Sequence, residues 1–110
     1  MTMDSTRLIF VALNTGDLER SLAFYRDAFG LDFHTDVNEP VSDPWYGGHH
    51  AALSWHDGAF LHFALFPHAP PGRPVSRDAQ IGFAVGDVDA AHARAVDAGA
   101  EVVHPPRPEP

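Results

Sequence analysis

Leu8-Ile9-Phe10-Val11-Ala12-Leu13, broken at Gly16-Asp17 and continued from Leu18 to Phe29 before stopping at Gly30, is the stretch that decides the fold, because most of it returns seventy positions later. The second copy reads Ile81-Gly82-Phe83-Ala84-Val85, breaks at Gly86-Asp87 and runs through residues 88–98 to Gly99. Superposition sets Gly16 on Gly86, Asp17 on Asp87, Ala23 on Ala93 and Ala28 on Ala98. Breaks and fills coincide together, which points to a duplicated supersecondary unit. An array of repeats would need at least three copies.

Residues 8–13 are continuously apolar, with Ile and Val supplying β preference, and read as a strand buried on both faces. Asp17 suits a helix N-cap, its carboxylate accepting from the free amides of the first turn. Leu18, Leu22, Tyr25 and Phe29 then fall on one helical face, and Gly30 supplies the left-handed residue that ends the helix. Residues 31–36 read as a second strand. Residues 37–48, with Pro40, Pro44 and Gly47-Gly48, form a long loop of the kind that often carries function. Residues 49–55 and 59–66 are strands around a turn at His56-Asp57-Gly58. Alternation puts Phe60, His62, Ala64 and Phe66 on one face, and Leu61, Phe63 and Leu65 on the other.

The first copy is therefore β-α-β-β-β over residues 8–66, followed by a Pro-rich linker over 67–79. The second copy, over 80–104, has a strand at 81–85, a helix capped by Asp87 and a strand at 100–104, so it stops at β-α-β. The fold class is α+β, one domain over residues 1–110, with helices outside a curved sheet. The prolines of residues 105–110 cannot continue a sheet interior. Strands lacking in the second copy leave an edge open, which leads us to expect a homodimer or a longer natural product.

At 110 residues, 45% of them hydrophobic, the chain can bury roughly 65% of its unfolded surface in one core. Fifteen acidic residues stand against seven Arg, a formal charge of -8. That balance argues against a phosphate-backbone partner and favours solubility and capture of a cationic small molecule. The absence of cysteine excludes disulfides and thiolate chemistry, so any metal would need His, carboxylate or amide ligands. No apolar run reaches membrane-spanning length, and none has the form of a signal peptide. The expected location is cytoplasmic.

Val11-Ala12-Leu13 before Asp17-Leu18, Ser21-Leu22-Ala23-Phe24-Tyr25 before Gly30-Leu31, and Ile81-Gly82-Phe83-Ala84-Val85 before Asp87-Val88 together resemble the vicinal oxygen chelate superfamily of glyoxalases, dioxygenases and bleomycin resistance proteins. The resemblance covers residues 8–104 and implies paired βαβββ modules, the second shortened to βαβ, enclosing a cup-shaped cavity. It also implies that metal ligands, where present, come from the first and last strands of each copy. The first ligand position, commonly His, is Phe10 here. Its equivalent in the second copy is Gln80, the fourth-strand position is His62, and the last has no counterpart.

Two ligands of four fall short of the three that a catalytic site of this kind normally uses. The leading reading is thus a protein that binds a small molecule without metal, with Phe10, Phe60 and Trp45 as apolar walls and His62 and Gln80 as orienting polar groups. The first alternative is a divalent-metal lyase, isomerase or dioxygenase with His62 and Gln80 as ligands and a substrate with vicinal oxygens. The second is a partial module acting through self-association. His56, His68 and His104 lie in turns or linkers and read as solvent-exposed, His92 as a packing residue on its helix. Aromatics at strand spacing are ordinarily core, which weighs against a stacking pocket of Phe10, Trp45, Trp55 and Phe60. No serine sits in a nucleophile elbow, and no glycine loop suits phosphate.

Phe10 in the first ligand position predicts that dialysed protein carries less than one equivalent of Ni, Zn, Mn or Fe by elemental analysis. Stoichiometric metal lost on His62→Ala would instead establish the metal-dependent alternative.

Overall fold

The computed structural model describes residues 6–45, 47–58, 60–68 and 73–107. Its elements are β1 (Phe10–Thr15), α1 (Leu18–Phe29), β2 (His34–Asn38), β3 (Gly48–Trp55), β4 (Leu61–Pro67) and α2 (Val88–Asp97). The four strands form one sheet in the order β1-β4-β3-β2. β1 runs parallel to β4, and the other two pairings are antiparallel. Mixed α/β architecture with a complete β-α-β-β-β first copy is as the sequence implies.

Helix α1 begins and ends where its residues dictate. Asp17 is extended, and its Oδ1 accepts from the Arg20 N–H at 3.1 Å. At the other end Gly30 sits at φ 68°, donating its N–H to the Arg26 carbonyl. A side chain at that φ would be strained. Asp87 repeats the cap on α2, accepting from the Ala90 N–H at 3.0 Å. The two helices pack on each other, with fully buried Ala28 and buried Ala91 allowing close approach and Arg94 Nε donating to the Ala28 carbonyl at 3.1 Å.

One face of the sheet is covered by α1 through an aromatic cluster. Phe63, 3% exposed, meets Tyr25 edge-on at 5.7 Å, Phe33 at 5.5 Å and Phe83 at 6.2 Å. Phe83 also packs on Phe29 at 4.6 Å, so the second copy contributes to the core of the first. Burial in this cluster pushes the Tyr25 phenol above its usual pKa, because the phenolate would lose solvation. Among the described residues no helix covers the other face of the sheet. Accordingly the molecule is a slab with principal extents of 46 × 45 × 24 Å, the thickness of one sheet and one helical layer.

Several elements differ from the sequence reading. β1 starts at Phe10, leaving Leu8 and Ile9 exposed rather than buried on both faces. β2 begins only at His34, where pairing with Ala52 starts, while Phe33 turns into the core. The connection between β3 and β4 spans five residues, 56–60, with Trp55 opposite Leu61. Residues 81–85 and 100–104 carry no strand. The reason is pairing. The outer edge of β1 is taken at Asn14, whose N–H donates to Ser76 Oγ at 2.9 Å and whose carbonyl accepts from the Ser76 N–H at 2.9 Å. Residues 79–83 then diverge, leaving a cleft of about 470 Å³ against Val11, Leu13, Leu61 and Phe63.

Phe63 joins the sheet to both copies, so Phe63→Ala is expected to cost about 3 kcal/mol or more in urea unfolding. Val103→Ala, at a site 94% exposed, is expected to stay within ~0.5 kcal/mol of the parent.

Candidate functional site on the open sheet face

Strand register arranges the uncovered face in rows. Phe10 is opposite His62, and His62 is opposite Ser54. The next row is Ala12, Ala64, Ala52 and His34. The third aligns Asn14 with Phe66 and His50 with Asp36, the His50 ring lying on Phe66. Side chains in these rows share a face because strand residues alternate with period two. The middle row is mostly alanine, and Ala52 and Ala64 are each 1% exposed. These small side chains lie between two rows of rings and form a floor that their neighbours close over.

At one end of that floor His62 is fixed from several sides. Its Nδ1 lies 2.7 Å from Ser54 Oγ on β3. Its ring is nearly parallel to Phe10 at 5.6 Å, with an interplanar angle of 20°, and to Phe60 at 6.4 Å and 10°. With Nδ1 engaged, Nε2 is the ring nitrogen left for a ligand. Ser54 thus fixes the orientation of the imidazole, the part that a neighbouring carboxylate or carbonyl plays for many functional histidines. Phe10 and Phe60 are each 40% exposed, so their rings offer apolar area to a bound molecule as well as to His62.

The structure brings together three of the five residues singled out in the sequence: Phe10, Phe60 and His62. Trp45 stands apart, 63% exposed on the loop before β3. That loop is compact: Asp43 donates its N–H to the Pro40 carbonyl, and its Oδ1 accepts from the Trp45 N–H at 2.8 Å. Gly47 is required there, since a Cβ would collide with the Pro40 and Val41 carbonyl oxygens. Gln80 lines the cleft beside Leu61 and Phe63, whose side chains belong to the helix-covered face.

Gln80 and His62 are thus associated with different faces of the sheet. Among the described residues no three His, Asp or Glu side chains gather at metal-binding spacing, and the residue beside His62 in the first ligand position is an apolar ring. The described side chains around His62 do not supply the three ligands that a resident divalent ion normally takes.

Ser54 is the site residue that sequence reasoning missed. A three-residue turn at 56–58 would set Ser54 opposite Phe60, whereas the longer connection sets it opposite His62. An even shift in register preserves the faces while changing the partners. His50 is 5% exposed and stacked on Phe66 at 4.6 Å and 13°, a contact that depends on which strand lies next to β4.

The model of the Glyoxalase/Bleomycin resistance protein/Dioxygenase superfamily matches residues 7–110, and the chain belongs to that superfamily. Among solved structures it is similar to TioX from Micromonospora sp. ML1, at 24% identity over 96% of this chain and 82% of that one, with a TM-score of 0.51. At this identity the likeness is one of fold. No curated protein matches the sequence. Among the described residues no helix is long and apolar enough to cross a membrane.

Proposed function

We propose that the chain binds a small organic molecule on the open face of its sheet, without a resident metal. The observation that carries this reading is the fixed imidazole: His62 held by Ser54 at 2.7 Å between Phe10 and Phe60, at the end of an alanine floor. Ligand sites combine mostly apolar walls with a few placed polar groups, and this face has both. Phe10 and Phe60 would contribute aromatic area, and His62 Nε2 would hydrogen-bond and orient the ligand. The donor set speaks against the metal-dependent alternative, because His62 lacks the two further ligands that such chemistry requires.

The same reading includes a homodimer. Among the described residues no backbone-to-backbone hydrogen bond involves residues 77–86, although Ile81, Phe83 and Val85 line an open cleft of about 510 Å³ beside α2. Ile81 is 39% exposed and Val102 51% exposed. Unpaired peptide groups beside exposed apolar side chains are a ready template for strands of a second copy.

Two measurements test these statements. In a screen of flat aromatic compounds, binders should raise the unfolding temperature and shift the NMR signals of Phe10, Ser54 and His62. His62→Ala should weaken them about tenfold, the equivalent of ~1.4 kcal/mol for one lost hydrogen bond. Binders that shift only the residues around Gln80 would move the site to the other cleft. For assembly, light scattering at micromolar concentration should return twice the chain mass. A soluble monomer with cooperative unfolding would refute the dimer.

A further inference from the structure

Arg73 is 7% exposed and sits at the end of the open face opposite to His62. Its Nε donates to the Pro67 carbonyl at 3.2 Å and its Nη1 to the Gly47 carbonyl at 3.1 Å. Its guanidinium carbon lies 5.4 Å from the centroid of the Phe66 ring, which has His50 stacked on it at 4.6 Å. These contacts tie the chain after β4 to the loop before β3. They do not neutralise the charge, since both oxygen partners are carbonyls.

Among the described residues no carboxylate oxygen lies within 4.0 Å of this guanidinium. Nη2 makes no hydrogen bond among them, yet no buried side-chain nitrogen is left without a partner, so Nη2 keeps contact with solvent. Asp36 lies in the row of Phe66 and His50, but one of its oxygens, Oδ1, accepts from the Val37 N–H at 2.8 Å. A buried cation without a counter-ion is costly and is normally paired. The planar fork of Arg, with two groups used by the fold and one left over, suits single-point, charge-assisted capture of a carboxylate.

We propose that the molecule bound on the open face carries an anionic group, a carboxylate in its simplest form, which docks on Arg73 Nη2. This rests on the open face being the binding site. The formal charge of -8 suggests a cationic ligand, but net charge sets only the far field, which salt screens beyond ~8 Å. Contact chemistry is set by the nearest charge, and here that is positive. His62 and Phe66 are four residues apart on β4, or ~13 Å at about 3.3 Å per residue. A ligand engaging both ends is therefore an elongated aromatic acid, its ring near Phe10, Phe60 and His62 and its carboxylate at Arg73.

Three probes of nearly identical shape test this on the full chain by NMR titration: biphenyl-4-carboxylate, biphenyl-4-carboxamide and biphenyl-4-carboxamidine. The carboxylate should bind at least tenfold more tightly than the other two and should move the Arg73 Nε–H resonance together with those of Ser54 and His62. Arg73→Gln should abolish the preference, the carboxylate then binding no more tightly than the carboxamide. If that variant fails to fold, the Arg73 Nε–H response of the unmodified protein decides. Equal affinity for carboxylate and carboxamide, or carboxylate binding that leaves Arg73 unmoved, overturns the anionic subsite while the open-face site stands. If none of the three perturbs Phe10, Ser54 or His62, the open-face site falls and the subsite with it.

Discussion

The parallel pairing of β1 with β4, which sets Phe10 beside His62 and Val11 beside Phe63, is the constraint on which the rest of the structure depends. Parallel neighbours need a crossover between them, and here the crossover includes α1 and two further strands. Once the register is fixed, odd-numbered residues of β4 face the helix and even-numbered ones face away. Phe63 then meets Tyr25 and Phe33 in the core, while His62 meets Ser54 and Phe10 on the open side. A one-residue slip would bury the imidazole under α1 and expose Phe63 to water, so core packing and site geometry enforce the same alignment.

The open face is rigid because its large and small residues are sorted by row and pack against one another. Ala52 and Ala64 are sealed by their neighbours, with Phe66 as the third member of their buried cluster. Rings at both ends are held by contacts that do not need a ligand: His62 by Ser54, and Phe66 by His50 and Arg73. Preorganised polar groups lose little freedom on binding, which is where much of the cost of recognition otherwise lies. The opposite clefts lack this character. The one beside Gln80 is lined mostly by aliphatic and aromatic carbon and lies where residues 79–83 fail to pair with β1.

Much of the fold is legible because the signals are local. Asp17 and Gly30 bracket α1, and Asp87 opens α2, through backbone amides and φ values within a few residues of each cap. The two faces of β4 follow from alternation alone. Partnerships are less legible, since they depend on the number of residues in a connection. Ser54 reaches His62 only because five residues, not three, join β3 to β4. Arg73 lies in a Pro-rich linker whose composition suggests only a spacer, and its role appears once folding brings Gly47, 26 positions away in the sequence, to its Nη1.

The duplicated stretch shows the same division within one chain. Both copies carry an apolar run, an Asp cap and an amphipathic helix, and both helices form with the same capping bond. The apolar runs diverge: residues 10–15 form a strand against β4, whereas residues 81–85 do not. A helix satisfies its peptide groups internally, so sequence similarity carries over directly into structure. A strand takes its hydrogen bonds from a neighbour, and the edge that residues 81–85 approach is already occupied at Asn14 by Ser76. The second run keeps the side-chain half of its inherited role, placing Phe83 against Phe29, Tyr25 and Phe63, while its backbone forms no strand.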